Sequence, residues 1–348
     1  MLLELDHIEF FVGNAYQSAM FYKAFFNFDI VAKKKTSLLV SYVVMQEKIK
    51  IVFTSSLVSE SKIANHVKSH GDSVKAITFK VSDSKKIWER LIMNGANSAF
   101  EPKVDSDNSG SITMSGIKVY GEVIHILLDR DNYEGVFLPG YDLLSNELTS
   151  KSVNLFSTID HYTAVVEEGN LNTWVDYYKK VFGFSMCFST ESFTKGNGMK
   201  AKVVKGEAPF LFPITEPFNS PNNISQFQKF LNYNNGPGVQ HLSFTSKDII
   251  RTIRELRKRG IETLKVPKDY YLNIPNKTEI LGINLDDLKD LNILVEKDDN
   301  GFLFQAFTIP LLDRPTFFIE IIQRKGANLF GKGNVNELFK ALTKYDEQ

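Results

Sequence analysis

Alternating apolar and polar positions open the chain: residues 5–11, LDHIEFF, read as a strand, and a polar turn leads from it into an amphipathic helix that ends in FYKAFFNF at 21–28. The same order returns at 159–184, IDHYTAVVEEGNLNTWVDYYKKVFGF, with an Asp-His pair, a short strand, a turn and a helix that ends in YYKKVFGF. A second pair aligns without a gap. Residues 74–102 match 239–267, with Val74 on Val239, Phe79 on Phe244, Asp83 on Asp248, Leu91 on Leu256, Gly95 on Gly260 and Pro102 on Pro267. Each reads as strand, Asp cap, amphipathic helix, C-terminal Gly and a segment ended by Pro. A third, shorter correspondence sets VIHILLDR at 123–130 against FIEIIQR at 318–324.

Four modules of one helix and several strands follow, two in each half, and the pattern predicts an α+β fold rather than a doubly wound parallel sheet. The polar stretch 144–156 is the expected linker, placing domains at 1–148 and 157–348.

Length and charge narrow the function classes. The 348 residues carry 41 Lys+Arg against 41 Asp+Glu, so no net charge draws the chain to a phosphate backbone, and no basic patch replaces it. Nucleic acid is excluded as a partner. No apolar run reaches the roughly 18 residues of a membrane span, and the acidic start lacks the basic flank of a secretory signal. With one cysteine, Cys187, no internal disulfide forms. The expectation is a cytoplasmic protein that acts on a small molecule.

The repeat also isolates candidate chemistry. Its three correspondences deliver His161, His241 and Glu320 in the second half, against His7, Ala76 and Ile126 in the first. Taken singly, a strand histidine is more often a hydrogen-bonded core residue, and Glu320 could pair with an arginine. A carboxylate inside the apolar run FFIEIIQR must find a cation, however, because burying it unpaired costs several kcal/mol. Two imidazoles and one carboxylate at equivalent module positions suit a divalent iron with open coordination positions. His7, His66, His70 and His125 are assigned structural roles. Strand alternation puts Phe318 on the face of Glu320 and Gln305 on that of Phe307, an aromatic wall with an amide beside it; Gln240, next to His241, should face away.

These residues carry a family resemblance. IDHY at 159–162, GPGVQHLSF at 236–244, DRPTFFIEIIQR at 313–324 and LFGKGN at 329–334 are similar to 4-hydroxyphenylpyruvate dioxygenases of the vicinal oxygen chelate superfamily, as are VGNA at 12–15, HGDSVK at 70–75 and FLPGYD at 137–142. The resemblance implies two domains of paired βαβββ modules, the C-terminal one an open barrel around Fe(II) held by His161, His241 and Glu320. It implies a 2-oxo acid and O2 as substrates, with decarboxylation, ring hydroxylation and side-chain migration giving homogentisate. Carried over residue by residue, Gln226, Gln240 and Gln305 form an amide network near the ring, Phe307 and Phe318 flank it, and a C-terminal helix with Phe330, Val335 and Phe339 gates the entrance. Homodimers and tetramers are usual in the family, so a homo-oligomer is expected.

Some positions depart from the pattern. Ala201 stands where the family usually has Ser, Thr215 where it has Asn, and Val335 where an aromatic gate residue is usual, while Pro213 and Gln305 are retained. Both lost pocket groups are polar, which bears on how a phenol is held. Two alternatives stay open: 4-hydroxymandelate synthase, which hydroxylates the benzylic carbon of the same substrate, and a catalytically silent binding module. GKG at 331–333 lacks the spacing of a phosphate-binding loop.

Overall fold

The computed structural model describes residues 4–144, 154–194, 197–207, 210–219, 224–272, 274, 282–328, 333–334, 337–338 and 340–342. In the first half, strands β1 (Glu4–Phe11), β2 (Asp29–Lys35), β3 (Leu39–Gln46), β4 (Ile49–Ser56), β5 (Ser73–Lys80), β6 (Ser98–Asp107), β7 (Gly110–Lys118), β8 (Ile124–Asp129) and β9 (Asp142–Leu143) form one sheet. Its order is β6-β7-β8-β5-β1-β4-β3-β2-β9. In the second half, β10 (Ile159–Val165), β11 (Ser185–Thr194), β12 (Asn197–Lys205), β13 (Leu211–Phe218), β14 (Gly238–Thr245), β15 (Leu294–Lys297), β16 (Phe302–Phe307) and β17 (Phe318–Lys325) follow the order β11-β12-β13-β10-β14-β17-β16-β15. Each half contains two copies of a four-stranded unit joined through their first strands, β1 to β5 and β10 to β14, both antiparallel, and in the first half the short β9 adds to the edge beside β2.

Local chemistry sets the helices. Helices α1 (Ala15–Phe26), α2 (Lys62–His70) and α3 (Ser84–Met93) start at Asn14, Ser61 and Asp83, whose side chains accept backbone N–H bonds at 3.1, 3.0 and 2.9 Å. The second half has α4 (Leu171–Tyr177), continued by a π-helical turn, then α5 (Gln226–Asn234), α6 (Ile249–Lys258), α7 (Lys268–Leu272) and α8 (Leu285–Asp290). Asp248 caps α6 as its repeat partner Asp83 caps α3. Gly95 and Gly260 take φ of +101° and +91° where these two helices end, a backbone setting that side-chain-bearing residues rarely adopt.

Sheet register bears out the repeat. His7 pairs with Thr78 and Thr78 with Ile126; His161 pairs with Ser243 and Ser243 with Glu320. Ser243 lies 165 positions after Thr78, the same offset that carries Ala76 to His241, so all three correspondences occupy equivalent lattice points.

One hydrophobic core unites the halves. Ile8, Phe10, Ala19, Phe26, Phe28 and Phe79 belong to the same cluster as Tyr162, Phe212, Phe244, Ile253 and Ile319. Phe244 packs on Phe28 and Phe156, with ring centroids 5.9 and 5.2 Å away. Burying one such phenyl group stabilises the fold by about 1.5–3 kcal/mol. Alternation along β10, β14 and β17 therefore sends Tyr162, Leu242 and Ile319 into this shared core, leaving His161, His241 and Glu320 on the opposite, concave face.

Candidate metal centre

His161 on β10, His241 on β14 and Glu320 on β17 come from three adjacent strands and meet on that concave face. Glu320 Oε2 lies 3.0 Å from His161 Nε2 and 3.8 Å from His241 Nε2, and the three donor atoms lie within 4.8 Å of one another. Ligands at about 2.1 Å from a common ion, at right angles, stand roughly 3 Å apart, so the spacing fits one metal. All three are buried, at 1%, 6% and 1% exposure.

Neighbouring groups decide which nitrogens face the centre. The Asp160 carboxylate sits 2.8 Å from His161 Nδ1, and Arg324 grips both oxygens of Asp160 at 2.8 and 2.9 Å. Burial works to raise the Asp160 pKa, yet Arg324 and His161 hold it well below the usual carboxylate range. His241 Nδ1 is 3.2 Å from Gln240 Oε1, an atom that can only accept, so Nδ1 carries the proton and Nε2 presents its lone pair to the centre. Such partners fix ring orientation around metals. Glu320 Oε1 accepts a 2.6 Å bond from Gln305 Nε2, and Asn334 Nδ2 donates to Gln305 Oε1 at 2.7 Å.

The electrostatics suit a cation. Burial pushes the His241 pKa down to about 3, so that imidazole is neutral at pH 7. Burial acts the same way on His161, but the charges of Glu320 and Asp160 push it up to about 9, which shows how much negative charge the site concentrates. Glu320 is lowered against its own burial by the two imidazoles and Gln305.

A pocket opens from these ligands. Thr163, Phe188, Met199, Ala201, Pro213, Thr215, Phe227, Gln240, Gln305, Phe307 and Leu338 line it with the three ligands. Ala201 and Thr215 are direct cross-strand partners on β12 and β13, so the two departures from the family pattern stand side by side on one wall. Gln240 lines the pocket although alternation assigned it outward. Thr163 pairs with His241 and the next residue, Ala164, with Val239, leaving Gln240 as the extra residue of a β-bulge that turns it inward. Lys75 is the equivalent bulge residue of the first half.

Phe318 stacks on the His241 ring, centroids 4.7 Å apart, and meets Phe307 edge-on at 6.2 Å. It buttresses a ligand rather than lining the pocket. At the start of α5 the wall residue is Phe227; Gln226 is absent from the lining, and its Nε2 is buried with no hydrogen-bond partner among the described residues. Phe330, Val335 and Phe339 lie outside the described residues, while residues 337–338 and 340–342 are helical and bring Leu338 to the pocket. Sequence reading missed Asp160, Arg324 and Asn334. Only Asp160 carried a signal, its adjacency to His161.

Comparison with known proteins agrees with this geometry. Residues 2–142 match the family described as "Hydroxyphenylpyruvate dioxygenase, HPPD, N-terminal", and residues 158–273 match the Glyoxalase/Bleomycin resistance protein/Dioxygenase superfamily. The chain is 36% identical over 362 residues to 4-hydroxyphenylpyruvate dioxygenase of Dictyostelium discoideum, covering 98% of both chains. It is 35% identical to that of Caenorhabditis elegans, over 97% of this chain and 90% of the relative. A mutant of 4-hydroxymandelate synthase from Streptomyces coelicolor superposes with a TM-score of 0.89 at 25% identity, covering 99% of each chain. A Mn(II)-bound glyoxalase from Novosphingobium aromaticivorans shares the fold at a TM-score of 0.51 and 11% identity, over 92% of this chain and 83% of that one. With an α+β vicinal oxygen chelate fold and full-length relatives above 30% identity, this chain belongs to the 4-hydroxyphenylpyruvate dioxygenase family.

Proposed function

We propose that this chain is an Fe(II)-dependent dioxygenase converting 4-hydroxyphenylpyruvate and O2 to homogentisate and CO2, with a unit at 1–148 that lacks the catalytic iron and a catalytic unit at 157–348. The observation that carries this reading is the convergence of His161, His241 and Glu320 on the floor of an otherwise largely apolar pocket. Two imidazoles and a carboxylate are the donor set of non-haem ferrous oxygenases. Ferrous iron held by these three residues would supply coordination for the keto acid and activation of O2.

The remaining tasks fall to the chain itself. Asp160, Gln240 and Gln305 hold the ligands in place by hydrogen bonds. Phe188, Phe227, Phe307 and Leu338 provide an apolar cavity for an aromatic ring and exclude water from the reacting atoms. Pro213, Thr215 and Ala201 form one wall of that cavity and set how the ring is held.

A second reading, 4-hydroxymandelate synthase, is favoured by one observation: Ala201 and Thr215, paired across β12 and β13, offer the ring fewer polar groups than the family pattern. The two products are isomers, so mass alone does not separate them. The test is anaerobic loading with Fe(II), addition of 4-hydroxyphenylpyruvate and O2, and chromatography against authentic standards. Homogentisate is the expected product; 4-hydroxymandelate would select the second reading. Neither product, with no O2 uptake, would mark a silent binding module. Glu320→Ala should abolish iron retention and turnover, and a variant that keeps both would remove Glu320 from the site.

A further inference from the structure

Four of the six histidines lie outside the centre described above. His7 bonds to Asp6 at 2.7 Å, and His125 bonds to the Tyr178 hydroxyl at 2.7 Å. The other two, His66 and His70, stand one turn apart on α2 with ring centroids 4.5 Å apart, both turned towards Glu122 in the connection between β7 and β8. Glu122 Oε2 is 2.7 Å from His66 Nδ1 and 3.6 Å from His70 Nε2, and the donor atoms of the three residues lie within 4.8 Å of one another. Both histidines are buried, at 5% and 7% exposure, whereas the Glu122 side chain is half-exposed and leaves a hydrated ion a way in.

The hydrogen bonds around this cluster settle one of its tautomers. His70 Nδ1 is 2.6 Å from the Asn234 carbonyl, which can only accept, so Nδ1 carries a proton and Nε2 is the nitrogen left to face Glu122. That Nε2 is buried and has no hydrogen-bond partner among the described residues, yet it faces a carboxylate oxygen. At 3.6 Å the two atoms are too far apart for a direct hydrogen bond and close enough to share a cation, either a proton on Nε2 or a metal between them. His66 Nδ1 is 2.7 Å from Glu122 Oε2, which can only accept, so Nδ1–H donates there and Nε2, 2.9 Å from Ser73 Oγ, accepts from that hydroxyl. A metal on Nδ1 would displace this proton, and Ser73 could then accept from Nε2–H while its own hydroxyl turns to the Gly71 carbonyl. The space among His66, His70, Ser73, Glu122 and Asn234 is about 10 Å³, the scale of one water or ion. Lys75 Nζ also approaches Glu122 Oε2, at 3.4 Å, but its shorter bond, 2.6 Å, goes to the Glu122 carbonyl and survives if the carboxylate turns to a metal.

We propose that His66, His70 and Glu122 form a second divalent metal site, of the zinc type, on the seam between the two halves. Histidines at i and i+4 on one helix face with a carboxylate from another element make a three-ligand set with one position left for water. The site does not depend on the reading of the first centre. It fastens α2 and the β7–β8 connection, and through His70 the end of α5, whose chain runs on into β14 and His241.

The test uses the full chain carrying Glu320→Ala, which weakens the first centre, stripped with chelator and titrated with Zn(II). One equivalent should bind and raise the melting temperature. Adding Glu122→Gln, a change at an exposed side chain that leaves the fold intact by circular dichroism, should weaken that binding at least tenfold and cancel the thermal shift. His70→Gln should do the same. No Zn(II) binding in the parent, or binding that Glu122→Gln changes less than twofold, would overturn the proposal, whatever iron does at His161 and His241.

Discussion

Gln305 shows how much of the centre rests on side chains that need never touch the metal. Its amide gives Nε2 to Glu320 and takes Asn334 Nδ2 on its oxygen, linking a ligand on β17 to the C-terminal segment. Gln305→Leu keeps the volume nearly constant but leaves Glu320 Oε1 and the Asn334 amide without partners. Metal retention under dialysis against a chelator should fall about 10- to 100-fold, while circular dichroism stays unchanged; retention within twofold of the parent would mean that Gln305 does not position Glu320. The three candidate ligands were legible in the sequence because the repeat set His241 and Glu320 beside Ala76 and Ile126, which cannot bind a metal, and His161 beside His7 at the same module position. Arg324 was not. Its partner Asp160 is 164 positions away, and only the adjacency of β10, β14 and β17 brings the pair together. Asn334 was hidden too, since it lies beyond the last strand and 29 positions from Gln305, with no periodic pattern linking them.

Alternation along single strands placed Gln305 and Phe307 on one face, and both line the pocket, but it failed where the backbone slips. Gln240 should face the core by a period of two, but the bulge opposite Thr163 and Ala164 adds a residue and turns it to the metal side. Bulges leave no compositional mark here, since the equivalent residue of the first half is Lys75. The start of α5 is likewise a matter of helix phase: Ser225 caps it, and the turn that follows sends Phe227 rather than Gln226 to the pocket. The β12–β13 pair gives the element-scale prediction. Ala201→Ser with Thr215→Asn would add a hydroxyl and exchange a second hydroxyl for a longer amide on adjacent strands of the same wall. A hydrogen bond gained at the ring is worth about 0.5–1.5 kcal/mol, so KM for 4-hydroxyphenylpyruvate should fall roughly 3- to 10-fold, with the homogentisate share of the product rising. An unchanged KM and product ratio would show that this wall does not hold the ring.

At the scale of the whole molecule the duplication was legible, but the way its halves adhere was not, because their contact is a shared core rather than a patterned surface. His125 lies in that seam, fully buried, with its Nε2 2.7 Å from the hydroxyl of Tyr178 in the other half. Burial pushes its pKa from 6.5 down to about 3, while a backbone bond near Ile124 acts weakly the other way. The folded chain therefore keeps His125 neutral over a range where the unfolded chain takes up a proton. The stability this leaves is full above about pH 6.5 and is lost as pH falls towards 3, at roughly 1.4 kcal/mol per pH unit for each such proton. Urea unfolding of the metal-free chain between pH 6.0 and 4.5 stays above the range where most carboxylates titrate. Over it, His125→Asn should be less stable at neutral pH and yet lose stability less steeply on acidification, the slopes differing by about one proton. Parallel slopes would mean that His125 is protonated in the folded seam. The Tyr178 bond would then have to be read with the imidazolium as donor, and acid would act on the seam through other groups.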